Sequence, residues 1–299
     1  MVEPQAGIFV EGSASHFFLE YQLIEGLSDA QLRATLASAI ALPLSADVNN
    51  VWAFGADCWQ RLTPDAVPHG LKSFTAIGEG HLVAPATQQS ILVWLHGDNH
   101  SANFDAAMEL SAALAAVATL NLEKIGFVYK DFRDLSGFID GTENPKGRGQ
   151  QVVALIPEGE AGAGGSYVMS QQWVHNLASF HALSQREQED VIGRTKPDSI
   201  ELDDARMPEN SHVSRSDVKI NGEAQKLYRR SVPYGGVLEH GLYFLAFSCD
   251  MQRFDHILAS MFGVSGDGVH DHLTDFSTPV SGSYWFAPSA AELSVLASL

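Results

Sequence analysis

Three short stretches of the chain set chemically capable side chains among apolar neighbours. GFIDGTENP (residues 137–145) places one carboxylate, Asp140, between two glycines; SHVSRSD (211–217) holds His212; YRRSVPYGG (228–236) holds Arg229 and Arg230. A carboxylate takes and returns protons, a neutral imidazole ligates metals, and a guanidinium stabilises developing negative charge. Gly137 and Gly141 permit backbone angles closed to other residues and Pro145 fixes its own φ, so a tightly shaped loop holds Asp140 in one direction. Each stretch also has a plain reading. A surface turn would use Asp140 to cap its neighbours, a lone histidine is commonly a hydrogen-bonded structural residue, and a strand arginine commonly completes a salt bridge.

The elements that must position these residues read as a mixture. AGIFVEG and SHFFLEYQL alternate in strand fashion, LSDAQLRATLASAIA repeats Leu32, Leu36 and Ile40 at helical spacing, and VNNVWAFGADCW and SILVWLHGD are rich in β-branched and aromatic residues. A helix is expected from His100 to about Ala118. After Gly137, QVVALIPEG and GSYVMSQQWVHNLASF read as strands joined by a hairpin loop at EGEAGAGG, 158–165. SQREQEDVIG reads as a helix capped by Ser184 with Glu187 at the capping-box position. LYRRSVPYG and GLYFLAFSCD read as further strands, and MQRFDHILASMFG carries Phe254, Ile257, Leu258, Met261 and Phe262 on one face; GSYWFAP closes the sheet. Two halves of similar make-up point to an α+β duplication with its boundary near 130–136.

Composition narrows the function classes. The 299 residues are 45% hydrophobic, enough for a packed core, and 18 basic against 36 acidic residues give a formal charge of −18. That charge repels phosphate backbones and anionic lipid surfaces, so neither nucleic acid nor membrane is an expected partner. Cys58 and Cys249 lie far apart, which argues against a thiolate metal site and a disulfide framework. The N-terminus lacks a basic and a continuous apolar region, and the C-terminus follows the last strand-like segment closely. A cytoplasmic protein without a long address tail is the expectation.

Taken together the motifs resemble the dye-decolourising haem peroxidases (DyP-type), most closely the compact bacterial B-type branch, over nearly the whole length. GFIDGTENP is similar to that family's G-x-x-D-G loop, RTKPDSIELDDARMPENSHVSRSD to the approach to its proximal histidine, and YRRSVPYG to its distal arginine strand. DHLTDFSTPVSGSYWFAP (271–288) is similar to its closing strand. The resemblance implies two ferredoxin-like halves of the dimeric α/β-barrel type, antiparallel sheets with helices, at 1–135 and 136–299, the second carrying one haem b per subunit. It implies His212 as the iron ligand, Asp140 as distal acid, Arg229 as distal arginine and Ser231 as a further polar position. On a strand, residues 229 and 231 share a face and Arg230 points the other way, an independent reason to prefer Arg229, with Arg230 the alternative. The carboxylate supporting His212 is expected in DHLTD, Asp271 first and Asp275 second. Arg194 and Lys196 are candidates for the haem propionates, though solvated surface is an equal reading.

The implied activity is reduction of hydrogen peroxide through a ferryl intermediate, with oxidation of dyes, phenols or other one-electron donors by a homo-oligomer, a dimer or larger. Tyr228, Tyr243, Tyr284 and Trp285 are candidates to relay electrons from bulky donors, beside the plain reading of core packing. One rival is a haem-binding or haem-handling protein with little turnover. Another is a non-haem metal site in GDGVHDH, where His270 and His272 flank Asp271, against a polar loop as the plain alternative.

Overall fold

The computed structural model describes residues 2–298. Its elements form two passes over one sheet. The first runs β1 (Ser15–Leu23), α1 (Asp29–Ile40), β2 (Asn49–Phe54), α2 (Ala56–Leu62), a small hairpin of β3 (Ile77–Glu79) and β4 (Leu82–Ala84), β5 (Ile91–Gly97), α3 (His100–Leu114) and β6 (Ala118–Phe127). The second begins with α4 (Arg148–Ala154), β7 (Ser166–His175), α5 (Leu177–Ala182), α6 (Gln185–Ile192), α7 (His212–Ser216) and a hairpin of β8 (Lys219–Ile220) and β9 (Glu223–Ala224). It ends with β10 (Tyr228–Arg229), β11 (Val232–Gly235), β12 (His240–Ser248), α8 (Gln252–Met261), β13 (Ser277–Pro279), β14 (Ser283–Ala287) and α9 (Ala290–Ala297).

Strand order explains how the passes combine. The large sheet runs β10-β12-β11-β6-β1-β5-β2-β14-β7-β13, and β12 also pairs with β7, so eight of its strands close into a ring. The first pass supplies β6-β1-β5-β2 and the second β14-β7-β12-β11: in both, the fourth strand lies beside the first, then the third, then the second, the ferredoxin-like order. The halves meet through Tyr234↔Gly126 on one side and Phe286↔Phe54 on the other. Described strand pairs are antiparallel throughout.

A closed sheet divides its side chains by alternation. Inside lie Phe18, Trp94, Val168, Tyr243 and Trp285; outside lie Phe17, Leu19, Tyr21 and Trp52, in one core with Phe254 and Leu258 of α8. Both faces are buried, so burial is nearly continuous along β1, β5 and β7, and β5 reads as an apolar run. Helix starts follow the local code: Ser28 with Gln31 and Ser184 with Glu187 form reciprocal capping boxes, two backbone donors satisfied at each.

Several segments differ from the sequence expectation for identifiable reasons. QVVALIPEG is the end of α4, not a strand; Val152 is exposed while Ala154 is buried and Val153 and Leu155 pack against the inner core, a pattern too short for periodicity to settle. EGEAGAGG therefore joins a helix to β7 and is not a hairpin loop. AGIFVEG contains a 3₁₀ turn, Ala6–Ile8. The helix from His100 stops at Leu114, and β6 follows, its polar alternate positions exposed and its apolar character correspondingly dilute. GADCW and NLASF, read as strand ends, are α2 and α5. LYRRSVPYG is two short strands in one register with β12, with Arg230 and Ser231 between them.

Candidate active site

A cavity opens between the outer face of β7 and β12 and the elements laid over it. Met169, Trp173, Leu242 and Phe244 come from the sheet, Ile257, Leu258 and Met261 from α8, and Asp140, His212 and Arg229 reach the same space. The walls are mostly apolar and the polar groups few, the composition of a site for a large flat ligand.

His212 opens α7, where Ser211 caps the helix by accepting from the Ser214 N–H. Its ring Nδ1 lies 2.6 Å from Asp271 Oδ2. Asp271 is fully buried and its other oxygen accepts from the Leu273 N–H at 2.9 Å, so the carboxylate is held from both ends. Burial works against a charged imidazole, but the Asp271 charge and hydrogen bond override it and raise the His212 pKa. An anionic acceptor at Nδ1 fixes the proton there and leaves the Nε2 lone pair for the cavity. Asp275 is occupied otherwise, 3.2 Å from His270 Nε2 and 3.7 Å from His272 Nε2. Those two histidines share a surface carboxylate, and among the described residues no cluster of three metal-ligating side chains is present.

Asp140 sits in the loop its glycines foretold: Gly137 has φ +93° and Gly141 φ +73°, both in the left-handed region. The Gly141 N–H donates to Asp140 Oδ1 at 2.6 Å. Arg133 pins the loop from behind through Nη1, 2.9 Å from the carbonyls of Gly137 and Lys196. Burial raises the Asp140 pKa; Arg229 and the Gly141 N–H oppose this, whereas the Asp134 charge adds to it. Arg229 lowers this carboxyl's pKa, but desolvation is the larger effect, so the net direction is upward.

Arg229 lines the cavity, and among the described residues no carboxylate comes within ion-pair distance of it. Its backbone is clasped by Asn144 of the Asp140 loop: Asn144 Nδ2 donates to the Arg229 carbonyl at 2.7 Å, and the Arg229 N–H donates to Asn144 Oδ1 at 2.9 Å. A side-chain amide thereby takes the place of a neighbouring strand and ties loop to strand. Arg230 turns into the barrel, donating to the carbonyls of Ile8 and Val10 and lying 5.0 Å over Trp94. Ser231 is not among the cavity-lining residues; its Oγ accepts from the Leu245 N–H.

The two propionate candidates part company. Arg194 lines the cavity with Glu143 and Glu201, whose carboxylates it bonds at 2.8 and 2.9 Å. Lys196 lies outside it, bonded to Gln188 and over the Phe138 ring. None of the relay candidates is on the surface: Tyr228, Tyr243 and Trp285 are buried inside the barrel, and Tyr284 is buried on the outer side.

Sequence reasoning missed several cavity groups. His175 bridges Asp134 (3.0 Å) and Ser277 (2.7 Å), and this contact overrides burial to lower the Asp134 pKa. Gln171 Nε2 is buried without a hydrogen-bond partner among the described residues. Only the Asn before Pro145 left a local signal; the others meet through tertiary contacts.

These groups fit an iron porphyrin: Nε2 of His212 suits iron, the apolar walls suit the ring faces, and the orphan Gln171 donor suits a ligand rich in acceptor oxygens. A metal-ready imidazole and a proton-handling acid with a free guanidinium, on a duplicated ferredoxin-like fold, define the class of haem peroxidases. The comparisons agree. The profile for the N-terminal part of the Dyp-type peroxidases matches residues 18–128, and that for the C-terminal part matches 131–292. A dye-decolorizing peroxidase of Mycobacterium tuberculosis is 37% identical over 243 residues, 80% of this chain and 72% of the relative. Among solved structures, a dyp-type peroxidase protein of Shewanella oneidensis superposes with a TM-score of 0.92 at 36% identity, covering 100% of this chain and 99% of that one. A Rhodococcus jostii RHA1 DypB variant in complex with heme superposes with a TM-score of 0.90 at 33% identity, covering 99% and 98%. The chain belongs to the Dyp-type peroxidase family, and it is an oxidoreductase of the peroxidase kind.

Proposed function

We propose that the cavity takes haem b, one per chain, and that the enzyme reduces hydrogen peroxide while oxidising dyes, phenols or other one-electron donors. Haem is the cofactor, and when bound it supplies the redox chemistry, accepting oxidation by peroxide and returning by single electrons. The observation that carries the reading is the 2.6 Å bond between His212 and Asp271 in a cavity shared with Asp140 and Arg229. His212 Nε2 holds the iron, and Asp271, by keeping the Nδ1 proton, makes the imidazole a stronger donor. Asp140, when ionised, takes the proton that peroxide loses and returns it to the outer oxygen so that this leaves as water. Arg229 stabilises the negative charge developing on the departing oxygen. Asn144 holds the two on one frame, and Arg194 at the cavity wall is the cation for a haem carboxylate.

Around this core we place the half boundary between 135 and 136, a cytoplasmic location and a homo-oligomer; the repeated strand order supports two halves, and the family resemblance supports the oligomer. Among the described residues no helix is long and apolar enough to cross a membrane. His212→Ala tests the ligand assignment: the variant is expected to fold and lose most of its haem during purification. A fully loaded variant with an unchanged absorption spectrum contradicts it.

A further inference from the structure

The barrel interior holds a second polar constellation that the peroxide chemistry does not use. Tyr243 Oη donates to Glu20 Oε1 at 2.6 Å, Ser170 Oγ donates to the same oxygen at 2.9 Å, and Trp285 Nε1 donates to Ser170 Oγ at 2.9 Å. All four side chains are essentially inaccessible to solvent, and Glu20 Oε2 is buried with no partner among the described residues. Glu20 shares the inner face of β1 with Phe18 by alternation, and the register of β1 against β6 shifts just after it, between Glu20 and Tyr21. A buried carboxylate with an empty oxygen is a poor way to stabilise a barrel; an apolar residue would serve better.

The position of this cluster gives it a use. Tyr243 lies on β12 between Leu242 and Phe244, both of which line the active-site cavity, so one strand thickness separates the phenol from the cofactor site. Removing an electron from a tyrosine makes its phenolic proton strongly acidic, so a base at hydrogen-bond distance makes the loss easier. Burial lifts Glu20 to about 7, against the bonds from Tyr243 and Ser170 that lower it, which matches this base to neutral conditions. The other inner aromatics are less favoured. Tyr228 also donates to a carboxylate, Glu11 Oε1 at 2.8 Å, but Glu11 is solvent-exposed, and Arg230 lies 5.9 Å over the Tyr228 ring and 5.0 Å over Trp94, a cation that opposes electron loss from either. Trp285 donates only to a hydroxyl.

We infer that Tyr243 is a redox site of the enzyme, giving one electron to the peroxide-oxidised haem across β12 while its phenolic proton passes to Glu20 Oε1. The tyrosine O–H bond breaks, a carboxyl O–H bond forms, and the haem is reduced by one electron. A later electron from a dye or phenol restores the tyrosine as the proton returns from Glu20. The inference rests on the haem-peroxidase reading. Phe18, stacked 4.0 Å from Tyr243, shields the radical within the barrel.

Haem-loaded protein is mixed with one equivalent of peroxide, freeze-quenched and examined by electron paramagnetic resonance, with its optical spectrum followed in parallel. The wild type is expected to give a radical signal that narrows when the tyrosines are ring-deuterated. Tyr243→Phe should lose that signal, Tyr228→Phe should keep it, and Glu20→Gln, which retains the tyrosine, should diminish it. If Tyr243→Phe fails to fold, the deuteration result and Glu20→Gln decide. A tyrosine signal unchanged by Tyr243→Phe or Glu20→Gln overturns the inference, as does an optically oxidised haem with no tyrosine radical. Haem that fails to load, or whose spectrum peroxide leaves unmoved, overturns the peroxidase reading and this inference with it.

Discussion

The outer and inner faces of β7, β10 and β12 come from alternate residues of the same strands, yet they treat polar groups in opposite ways. On the outer face, among the described residues, Arg229 has no carboxylate within ion-pair distance and Gln171 has an unpaired donor, and His212 and Asp140 line the same cavity. On the inner face Arg230 is bound to the Ile8 and Val10 carbonyls, and Tyr243, Ser170 and Trp285 are chained to Glu20. Two adjacent arginines thus differ in surroundings: Arg230 is bonded to the fold, and Arg229 faces the cavity with no carboxylate within ion-pair distance among the described residues. Residue type alone does not separate them; the pleat does.

Exchanging these environments by mutation gives the largest effects. Arg229→Leu is expected to slow the reaction with peroxide by about 100-fold, the usual cost of losing a group that stabilises transition-state charge. Its stability should stay close to the wild type. Arg230→Met should do the reverse, leaving the buried Ile8 carbonyl and the part-buried Val10 carbonyl without their donor and lowering stability by about 3 kcal/mol with the peroxide rate of the folded fraction unchanged. Denaturant unfolding and stopped-flow rates on the pair check both. Equal losses on both measures for the two variants would erase the distinction between the faces.

The acids of the two faces sharpen it further. Glu20 is raised from an ordinary 4.5 to about 7. The folded state then holds that proton more tightly than the unfolded chain does, so stability falls as pH rises through that window, by about 3 kcal/mol for this one group. Glu20→Gln removes the dependence, and its stability relative to the wild type should grow by that amount from pH 5 to pH 8. A constant difference across that range would show that Glu20 does not titrate. Asn144→Ala is the smallest change, about 10-fold in peroxide rate, because backbone neighbours still hold Arg229 after its clasp is lost. Its signature is that Asn144→Ala should slow the Arg229→Leu variant by less than the roughly 10-fold it costs the wild type, because part of its effect acts through Arg229.

What the sequence made legible follows the same division. The flanking glycines left a local trace of a shaped loop at Asp140 and alternation ranked Arg229 over Arg230, but the roles of both came from the family resemblance, because a plain turn or a structural arginine fits the local pattern as well. The choice between Asp271 and Asp275 was open, since both sit in one polar run and only the fold brings Asp271 under His212. Lys196 was a propionate candidate beside Arg194 and Ser231 a further polar position beyond Arg229, but neither lines the cavity: Lys196 is bonded to Gln188, and Ser231 accepts from a strand N–H. The Asn144 clasp, the Asp134–His175–Ser277 bridge and the Tyr243–Glu20 pair span from 41 to 223 residues of chain. No local pattern encodes contacts of that reach. Among the elements, α4 was hidden because its short apolar run has no period, and β6 because half its positions face solvent.

The most direct test mixes ferric, haem-loaded protein with one equivalent of peroxide in a stopped-flow instrument across a pH series, for the wild type and Asp140→Asn. The account predicts a rapid spectral change in the wild type whose rate rises with pH as Asp140 ionises, with a pKa above the ordinary carboxylate value. It predicts a slow, pH-flat reaction for Asp140→Asn. Equal rates in the two proteins across that range would contradict the assignment of proton transfer to Asp140.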